Sequence, residues 1–318
     1  MKPYDVTALG ELLIDFTENG TSTQGNPVLE ANPGGAPCNV LAMLNRLEHK
    51  TAFIGKIGQD MFGDQLEAAL KEVGIDTRGL KRDENVHTTL AFVHTLADGD
   101  REFSFYRNPG ADMMLSEDDI DEDLIASSKI FHFGSLSMTD ETCRKATRKA
   151  IKIAEESGAL LSFDPNLREP LWRTLSEARR EILYGMEHCH ILKISDNEIQ
   201  WLTGLEDFDE GIEVLQRRFH IPLILLSLGK EGSRAYTNNL CVSKAAYSQE
   251  HTIETTGAGD TFCACILHYI LNHGWKEYNE NELSEMLGFA NAAASIITTR
   301  KGALRVMPRK EEILCLCD

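Results

Sequence analysis

The stretch Glu254-Thr255-Thr256-Gly257-Ala258-Gly259-Asp260-Thr261-Phe262 stands directly ahead of Cys263–Leu271, an apolar run typical of a buried helix. Glycines in such a turn let the backbone approach a ligand without interference from a Cβ atom. N–H groups at a helix N-terminus can then bind a phosphate or a developing anion. A carboxylate at Asp260 would be placed to take a proton from a hydroxyl nucleophile. A plain helix cap is the alternative interpretation, since Gly and Asp both favour helix N-termini.

The turn differs from several well-known phosphate-binding motifs. Phe262 occupies the place of the third glycine of G-x-G-x-x-G, the dinucleotide-binding fingerprint. The sequence contains no G-x-x-x-x-G-K-[ST] motif and neither the His-Arg-Asp nor the Asp-Phe-Gly signature. It is therefore neither a P-loop enzyme nor a protein kinase, and the lack of a G-x-S-x-G elbow weakens a hydrolase interpretation.

A second glycine-rich turn, Asn32-Pro33-Gly34-Gly35-Ala36-Pro37-Cys38-Asn39-Val40, leads into the helical run Leu41–Leu47. The amide of Asn39 can both donate to and accept from a polyol. Asp15 closely follows the first predicted strand, and carboxylates at the carboxyl end of a strand in an α/β sheet lie where ligands bind. A Gly-Gly turn capped by Asn39 is the alternative for this segment.

Short apolar or β-branched runs alternate with helical patterns, which predicts parallel strands covered by helices on both faces. The predicted strands are Val6–Leu9, Ala52–Ile57, Ile130–Phe133, Leu160–Phe163, Ile191–Ile194 and Leu223–Leu228. The predicted helices between them are Gln65–Val73, Asp140–Ser157, Leu175–His188 and Gly211–Phe219.

Two segments with polar–apolar alternation interrupt this scheme and read as hairpins. Thr89–Leu96 and Arg101–Tyr106 surround Ala97-Asp98-Gly99-Asp100, and a second hairpin is predicted around Thr237-Asn238-Asn239. The sequence predicts one α/β domain over residues 1–318. A small β appendage is expected from about residues 14–34 and 88–108.

Composition and charge exclude several classes of partner. The 318 residues include 32 Lys+Arg and 50 Asp+Glu, a formal charge of −18. So acidic a chain lacks the basic surface that nucleic acid or an anionic membrane would need. No segment approaches the ~20 apolar residues of a membrane span. Eight scattered cysteines without a zinc pattern or a signal peptide favour reduced thiols and a cytoplasmic protein.

Two other features look like metal sites but have simpler explanations. Six of the seven residues in Glu117–Asp123 are acidic, a pattern that favours a solvated charged turn or helix start because it lacks the Gly and Asn of a calcium loop. His132 lies on an apolar strand and is interpreted as a core histidine.

Together the two glycine-rich turns and the Asp15 segment resemble the signatures of the ribokinase-like (PfkB) carbohydrate kinase family. The form Gly-Gly-Ala-Pro-x-Asn-Val most resembles the fructokinase branch. The resemblance implies a ribokinase-like fold, with a central, mostly parallel sheet flanked by helices on both faces and a small β-sheet lid. Further motifs follow in the family's order: Phe53–Asp60, Phe163–Arg168, Leu202–Gly204, Ser227–Gly232 and Thr299–Ala303.

The resemblance implies a role for each matching position. Asp260 would be the general base, and the turn Gly257, Ala258 and Gly259 would be the anion hole. Arg168 would place its charge beside the phosphate or the substrate. The implied sugar-binding residues are Asp15, Gly34, Gly35, Asn39, Arg107, Asn166 and Asp260. The implied nucleotide-binding residues are Lys193, Ser195, Glu198, Ser227, Gly229, Gly232, Gly259 and Asn291.

The metal positions depart from the family pattern. Glu198 keeps its place in the family's Asn-x-x-Glu element and is expected to act on Mg²⁺ through water, while Ser195 replaces the Asn. Family members often bind K⁺ beside the anion hole. Here Glu254 stands where Asp is common and Val306 where Ser often helps, so potassium dependence is open.

The implied activity is ATP-dependent phosphorylation of a small sugar, with D-fructose as the expected substrate. A kinase for 2-keto-3-deoxygluconate or another sugar is the alternative, because Arg107 and Arg168 could hold a carboxylate. A non-catalytic sugar- or nucleotide-binding relative is the alternative from another class. Because lids in this family commonly pair between subunits, the resemblance also implies a homodimer through the lid.

Overall fold

The structure is a computed structural model that describes residues 2–95, 101–249 and 251–317. The strands of this part are β1 (Tyr4–Leu9), β2 (Leu13–Thr21), β3 (Pro27–Gly34), β4 (Thr51–Gly58), β5 (Asp76–Asp83), β6 (Leu90–Thr95), β7 (Arg101–Tyr106), β8 (Ser128–Gly134), β9 (Leu160–Asp164), β10 (Ile191–Ser195), β11 (Leu223–Ser227), β12 (Ser233–Tyr236) and β13 (Cys241–Lys244). The α-helices are α1 (Ala36–Arg46), α2 (Met61–Glu72), α3 (Glu122–Ala126), α4 (Glu141–Glu156), α5 (Leu175–His188), α6 (Asp196–Thr203), α7 (Phe208–Phe219), α8 (Ala258–His273), α9 (Glu280–Ile297) and α10 (Lys310–Cys317).

Nine strands form the large sheet in the order β13-β12-β11-β10-β9-β8-β1-β4-β5. All its pairings are parallel except those of β12 and β13. Parallel strands covered on both faces read as continuous apolar runs. Four of the five residues of β11 are accordingly buried. The predicted mostly parallel α/β sheet is confirmed, although Leu228 lies one residue beyond the end of β11.

Helices cover both faces of this sheet and create two hydrophobic cores. One core holds α1, α2, α8, α9 and α10, and the other is built mainly by α3 to α7. The four helices predicted between strands are present; α5 has the predicted ends, and the other three differ at one or both ends. Helix α8 is buried along nearly its whole length, from Thr261 to Ile270, as its apolar sequence predicts.

The small sheet has four strands in the order β3-β2-β6-β7. Strand β2 pairs antiparallel with β3 and parallel with β6, and β6 pairs antiparallel with β7. The predicted hairpin turn at residues 97–100 lies outside the described residues. Strand β3 leads into the turn at Gly34 and Gly35 and then into α1, so the small sheet is joined directly to one of the glycine-rich turns.

The acidic run, the strand histidine and the cysteines have the ordinary structural roles that the sequence predicts. The acidic run 117–123 forms a short 3₁₀ turn and the beginning of α3, as expected. His132 is buried in β8 beside the Ser162 hydroxyl at 3.0 Å, and burial lowers its pKa to about 3, as for a neutral core histidine. All eight cysteines are unpaired. In residues 2–95, 101–249 and 251–317, no helix is long and apolar enough to cross a membrane.

Candidate active site

A cavity of about 520 Å³ lies between the carboxyl ends of the central strands and the small sheet. Its walls come from the segments after β1, β9 and β10, from α1 and α8, and from all four strands of the small sheet. Ligand sites in open α/β sheets lie at this edge, because the loops that follow parallel strands converge there. The sequence motifs at residues 32–40 and 254–260 therefore meet in one place.

Asp260 lies in the first turn of α8 and faces this cavity. Its Oδ2 accepts a hydrogen bond from Asn39 Nδ2, in the first turn of α1, at 2.8 Å. Burial raises the pKa of Asp260, while the Asn39 hydrogen bond and the charges of Lys193 and Arg168 lower it. Asn39 Oδ1 is buried and has no hydrogen-bond partner in the described part of the chain. Because buried polar atoms are normally hydrogen-bonded, this oxygen is available to a substrate hydroxyl.

The backbone at Gly257 leaves no room for a side chain, and the backbone at Gly259 lies close against the end of the Lys193 side chain. Gly257 has φ of +77°, and a methyl group added there would lie 2.7 Å from the Ala303 Cβ. A methyl group at Gly259 would lie 3.1 Å from Lys193 Nζ. The first N–H groups of an α-helix lack intrahelical partners. The turn thus presents backbone donors and an ammonium group at one end of the cavity.

Lys193 forms a buried ion pair with Asp164 beneath this turn. Its Nζ lies 3.1 and 3.3 Å from the two Asp164 carboxylate oxygens. Burial raises the pKa of Asp164 to about 6, partly offset by Lys193. Burial also opposes the charge of Lys193, but Asp164, Glu198 and Asp260 outweigh it and raise the lysine's pKa above its ordinary value. Asp164 was not among the predicted site residues, although it follows directly on the predicted strand Leu160–Phe163.

Asp15 extends the site onto the small sheet. It lies on β2 opposite Asn32 of β3, and its carboxylate passes so close to Gly34 that a Cβ atom there would overlap it. Burial raises the pKa of Asp15 to about 7; Arg168 lowers it, and Glu254 and Asp260 raise it. Gly35 has φ of +125°, which only glycine adopts readily.

Glu11 is a buried acid of the cavity wall that the sequence analysis did not single out. Its Oε1 accepts a hydrogen bond from the Ala36 N–H at 2.9 Å, which satisfies the first amide of α1. Burial raises the pKa of Glu11 to about 7. Its position in Gly10-Glu11, directly after β1, was the available signal, because that is where strand ends supply ligands.

Glu198 ties two segments of the cavity wall together. Its Oε1 accepts from the Leu167 N–H at 2.8 Å, and its Oε2 accepts from the Ser195 N–H at 2.9 Å and hydroxyl at 2.8 Å. The loop that carries Asn166, which has φ of +45°, and Arg168 is thereby fixed to the N-terminus of α6. Both carboxylate oxygens accept protein hydrogen bonds, and the role of Glu198 toward Mg²⁺ stays a prediction.

The other predicted nucleotide residues form a separate group outside the cavity lining. Ser227 ends β11 beside Ser195 of β10, and Gly229 and Gly232 lie in the following turn. Asn291 donates to the Lys244 and Ala245 carbonyl oxygens at 3.0 and 3.2 Å, and its Oδ1 accepts from Ser233 at 2.8 Å. Its amide is therefore engaged within the protein.

Arg107 does not reach the cavity. Its guanidinium donates to Asp112 at 2.8 Å, to the Thr139 hydroxyl at 2.9 Å and to the Leu136 carbonyl oxygen at 3.0 Å. The side chain is 2% exposed and is absent from the cavity lining. The geometry gives Arg107 a structural ion pair, whereas Arg168 lines the cavity.

Glu254 lies at the cavity beside the Gly302 segment. Its Oε1 accepts from the Gly302 N–H at 2.8 Å. Val306 lies four residues after Gly302. Its side chain has no oxygen that could bind a cation, and its carbonyl oxygen accepts a hydrogen bond from Arg300 at 2.7 Å. The potassium position stays a prediction.

The charged residues that line the cavity are mainly acidic. Six carboxylates face two cations, Arg168 and Lys193. A polyanionic ligand therefore requires additional positive charge brought in with it. The six acids are Glu11, Asp15, Glu169, Glu198, Glu254 and Asp260.

Residues 4–310 match the pfkB family carbohydrate kinases. The chain belongs to this family. Curated relatives include probable fructokinase-2 of Arabidopsis thaliana, 42% identical over 97% of this chain and 94% of the relative. Fructokinase-1 of Zea mays is 41% identical over 98% of this chain and 97% of the relative.

Solved structures of this carbohydrate kinase family share the fold. The fructokinase of Xylella fastidiosa with bound ATP has a TM-score of 0.90 and 28% identity, covering 99% of this chain and 98% of its own. The fructokinase of Vibrio cholerae O395 with fructose, ADP and calcium bound has a TM-score of 0.89 and 28% identity over the full length of both chains. The predicted ribokinase-like architecture is confirmed.

Proposed function

We propose that the protein is a fructokinase, which transfers the terminal phosphoryl group of ATP to a primary hydroxyl group of D-fructose. The observation that carries the proposal is Asp260, which is held by Asn39 in the first turn of α8 and faces a cavity that Asp15 also lines. The fructokinase relatives at 41–42% identity over almost the whole chain support fructose as the sugar.

The chain's own residues supply the steps of the reaction. Asp260 takes the proton of the attacking hydroxyl, because it is the carboxylate at the helix N-terminus where the phosphoryl group is bound. The first N–H groups of α8 and the Lys193 ammonium stabilise the charge of the transferring group. Asp15 and Asn39 orient the sugar, and the reaction depends on this positioning more than on covalent chemistry.

Mg²⁺ brought in with ATP fits the acidic lining of the cavity. Two cations against six lining carboxylates do not balance a tetra-anionic nucleotide. A divalent ion would neutralise the phosphates when bound, with Glu198 holding its water ligands. K⁺ near Glu254 is the further ion of the proposal, tested by comparing rates in K⁺ and Na⁺ salts.

A neutral sugar fits the site better than a sugar acid. A carboxylated substrate such as 2-keto-3-deoxygluconate needs a free cation, and Arg107 is buried against Asp112. Arg168 is the remaining arginine of the cavity lining, and its charge lowers the pKa values of both Asp15 and Asp260. The site therefore offers no separate arginine for a carboxylate.

The test is ADP release with fructose, ribose, 2-keto-3-deoxygluconate and adenosine, each with and without K⁺. Fructose is expected to give the highest kcat/KM, and Asp260→Asn is the control for contaminating ATPase. A higher kcat/KM for another sugar would replace fructose as the substrate. Turnover no greater than in Asp260→Asn for every compound would favour the non-catalytic binding protein.

The proposal treats residues 1–318 as one kinase domain with the small sheet as its lid, and it includes a homodimer through that lid. Val28 and Leu29 on the edge strand β3 and Tyr106 on the opposite edge strand β7 are 40%, 41% and 68% exposed. Apolar side chains at sheet edges favour pairing with a second copy. Sedimentation equilibrium of the wild type and of Leu29→Asp tests this, with a monomeric wild type as the contrary result.

The proposal also places the enzyme in the cytoplasm. Eight unpaired cysteines, four of them fully buried, suit a reducing compartment. Subcellular fractionation of the native host would test it.

A further inference from the structure

Two polar side chains of the small sheet, Thr17 and Asn32, face the cavity in addition to Asp15. Asn32 Nδ2 donates to Thr17 Oγ1 at 2.9 Å. Alternate residues of a strand share one face, so Asp15 and Thr17 point the same way from β2. Asn32 is the direct partner of Asp15 on β3. Asn32 is thus level with Asp15, and Thr17 lies one step further along the same face of β2.

The hydrogen-bonding capacity of this pair is only half used. Asn32 Nδ2 also lies 3.3 Å from the Glu30 carbonyl oxygen, which fixes the amide with its nitrogen toward the sheet. Asn32 Oδ1 has no donor in residues 2–95, 101–249 and 251–317, and the Thr17 hydroxyl hydrogen has no acceptor there. One acceptor and one donor, oriented by each other, therefore remain at the cavity surface.

The opposite wall comes close to this point. A methyl group added at Gly302 would lie 3.6 Å from Asn32 Oδ1. The Gly302 backbone also lines the cavity and is held by Glu254. A small group bound at Asn32 is therefore enclosed between the lid and the Gly302 segment.

The order of residues along the small sheet indicates which part of a bound substrate would contact Thr17 and Asn32. Gly34 pairs with Leu13 next to the start of α1, near Asn39 and Asp260. Asp15 and then Thr17 follow along β2, each pair of residues adding roughly 6.6 Å. Thr17 therefore lies farther along β2 from Gly34 and the start of α1 than Asp15 does, and its hydrogen-bond partner Asn32 lies level with Asp15.

We propose that Thr17 and Asn32 form a specificity pair that binds the hydroxymethyl group at the end of the ketohexose opposite to the phosphorylated hydroxyl. The inference rests on the proposed function. The substrate hydroxyl donates to Asn32 Oδ1 and accepts from Thr17. A carboxylate at this end has no proton to donate and would face Asn32 Oδ1 with like partial charge, so the pair favours a ketose over a sugar acid.

NMR of the wild-type product first identifies which hydroxyl of D-fructose is phosphorylated. The test then compares D-fructose with the deoxy sugar, 1-deoxy- or 6-deoxy-D-fructose, that keeps this hydroxyl and lacks the one at the opposite end. For that deoxy sugar, wild-type kcat/KM is expected to be roughly 10–100-fold below that for fructose. Thr17→Val and Asn32→Leu should lower kcat/KM for fructose and leave that for the deoxy sugar nearly unchanged. The fructose-to-deoxy ratio then falls toward 1.

The matched control is Asn19→Ala, on the same strand but paired with exposed Glu30 at 3.3 Å and absent from the cavity lining. It should keep the wild-type ratio. Turnover of the deoxy sugar by the variants shows that they are folded. An unchanged ratio in Thr17→Val and Asn32→Leu, with fructose still phosphorylated by the wild type, overturns the specificity pair alone. Absence of fructose turnover in the wild type overturns the proposed function as well.

Discussion

Asn39 Nδ2 donates to Asp260 Oδ2 at 2.8 Å, so the first turn of α1 fixes the carboxylate in the first turn of α8. This bond joins the two glycine-rich turns of the sequence, which are more than 200 residues apart. It leaves Asp260 Oδ1 for the proton transfer that the proposed function assigns to this carboxylate. Because the donor stabilises the ionised carboxylate, it also limits the rise in pKa that burial causes.

Replacing Asp260 by Asn should lower kcat by ~10²–10⁴ with little change in fold, because the general base is lost. Asn39→Leu should raise the pKa of Asp260 and move the acid limb of the kcat/KM profile to higher pH. Steady-state ADP release across pH 5–9 measures both. Nearly full turnover of Asp260→Asn would remove the base assignment.

Arg168 should set the pH dependence of the enzyme. Its charge lowers the pKa of Asp15, which burial raises to about 7, and that of Asp260. Arg168→Gln should raise both pKa values, so the ionised forms are lost earlier as pH falls and the acid limb of kcat/KM moves upward. Arg173→Gln, an exposed arginine paired with Asp140 at 3.1 Å, is the control. If the acid limb of the kcat/KM profile of Arg168→Gln stays at the wild-type pH, Arg168 does not set the pKa of Asp15 or of Asp260.

Lys193→Met should destabilise the protein by about 3–5 kcal/mol, because the Asp164 carboxylate would stay buried without its counter-charge. The double variant Lys193→Met/Asp164→Leu should recover much of this stability but not the activity. Urea unfolding and ADP release measure the two effects. Lys276→Ala breaks the exposed pair with Glu282 and should cost under about 1 kcal/mol. Equal stability losses in the two lysine variants would contradict the argument.

Arg107→Lys should change stability rather than sugar affinity. Lysine cannot replace the three guanidinium contacts with Asp112, Thr139 and Leu136, so the free energy of unfolding should fall by about 2–3 kcal/mol. The KM for fructose should stay within about twofold of wild type. A tenfold rise in the KM for fructose with unchanged stability would instead support a sugar-binding role for Arg107.

Local sequence pattern predicted most of the large sheet and failed at its polar elements. Strands β8 and β11 were recognisable because burial on both faces demands a run of apolar residues. Strand β5, Asp76–Asp83, was missed because it is a polar edge strand. Helix α6 was missed because its eight residues are too few for a clear periodicity, although Ser195 and Glu198 form its capping box.

The sequence by itself determined that Gly257 and Gly259 form a turn at the N-terminus of the helix that carries Asp260, since glycine conformation and helix capping are local properties. Only the tertiary structure decided that Asn39 holds Asp260, that Lys193 pairs with Asp164 and that Arg107 turns away from the cavity. Each of these depends on which side chains from distant strands and helices come within about 3 Å of one another. That distance is set by the packing of the whole sheet, and no local pattern encodes it.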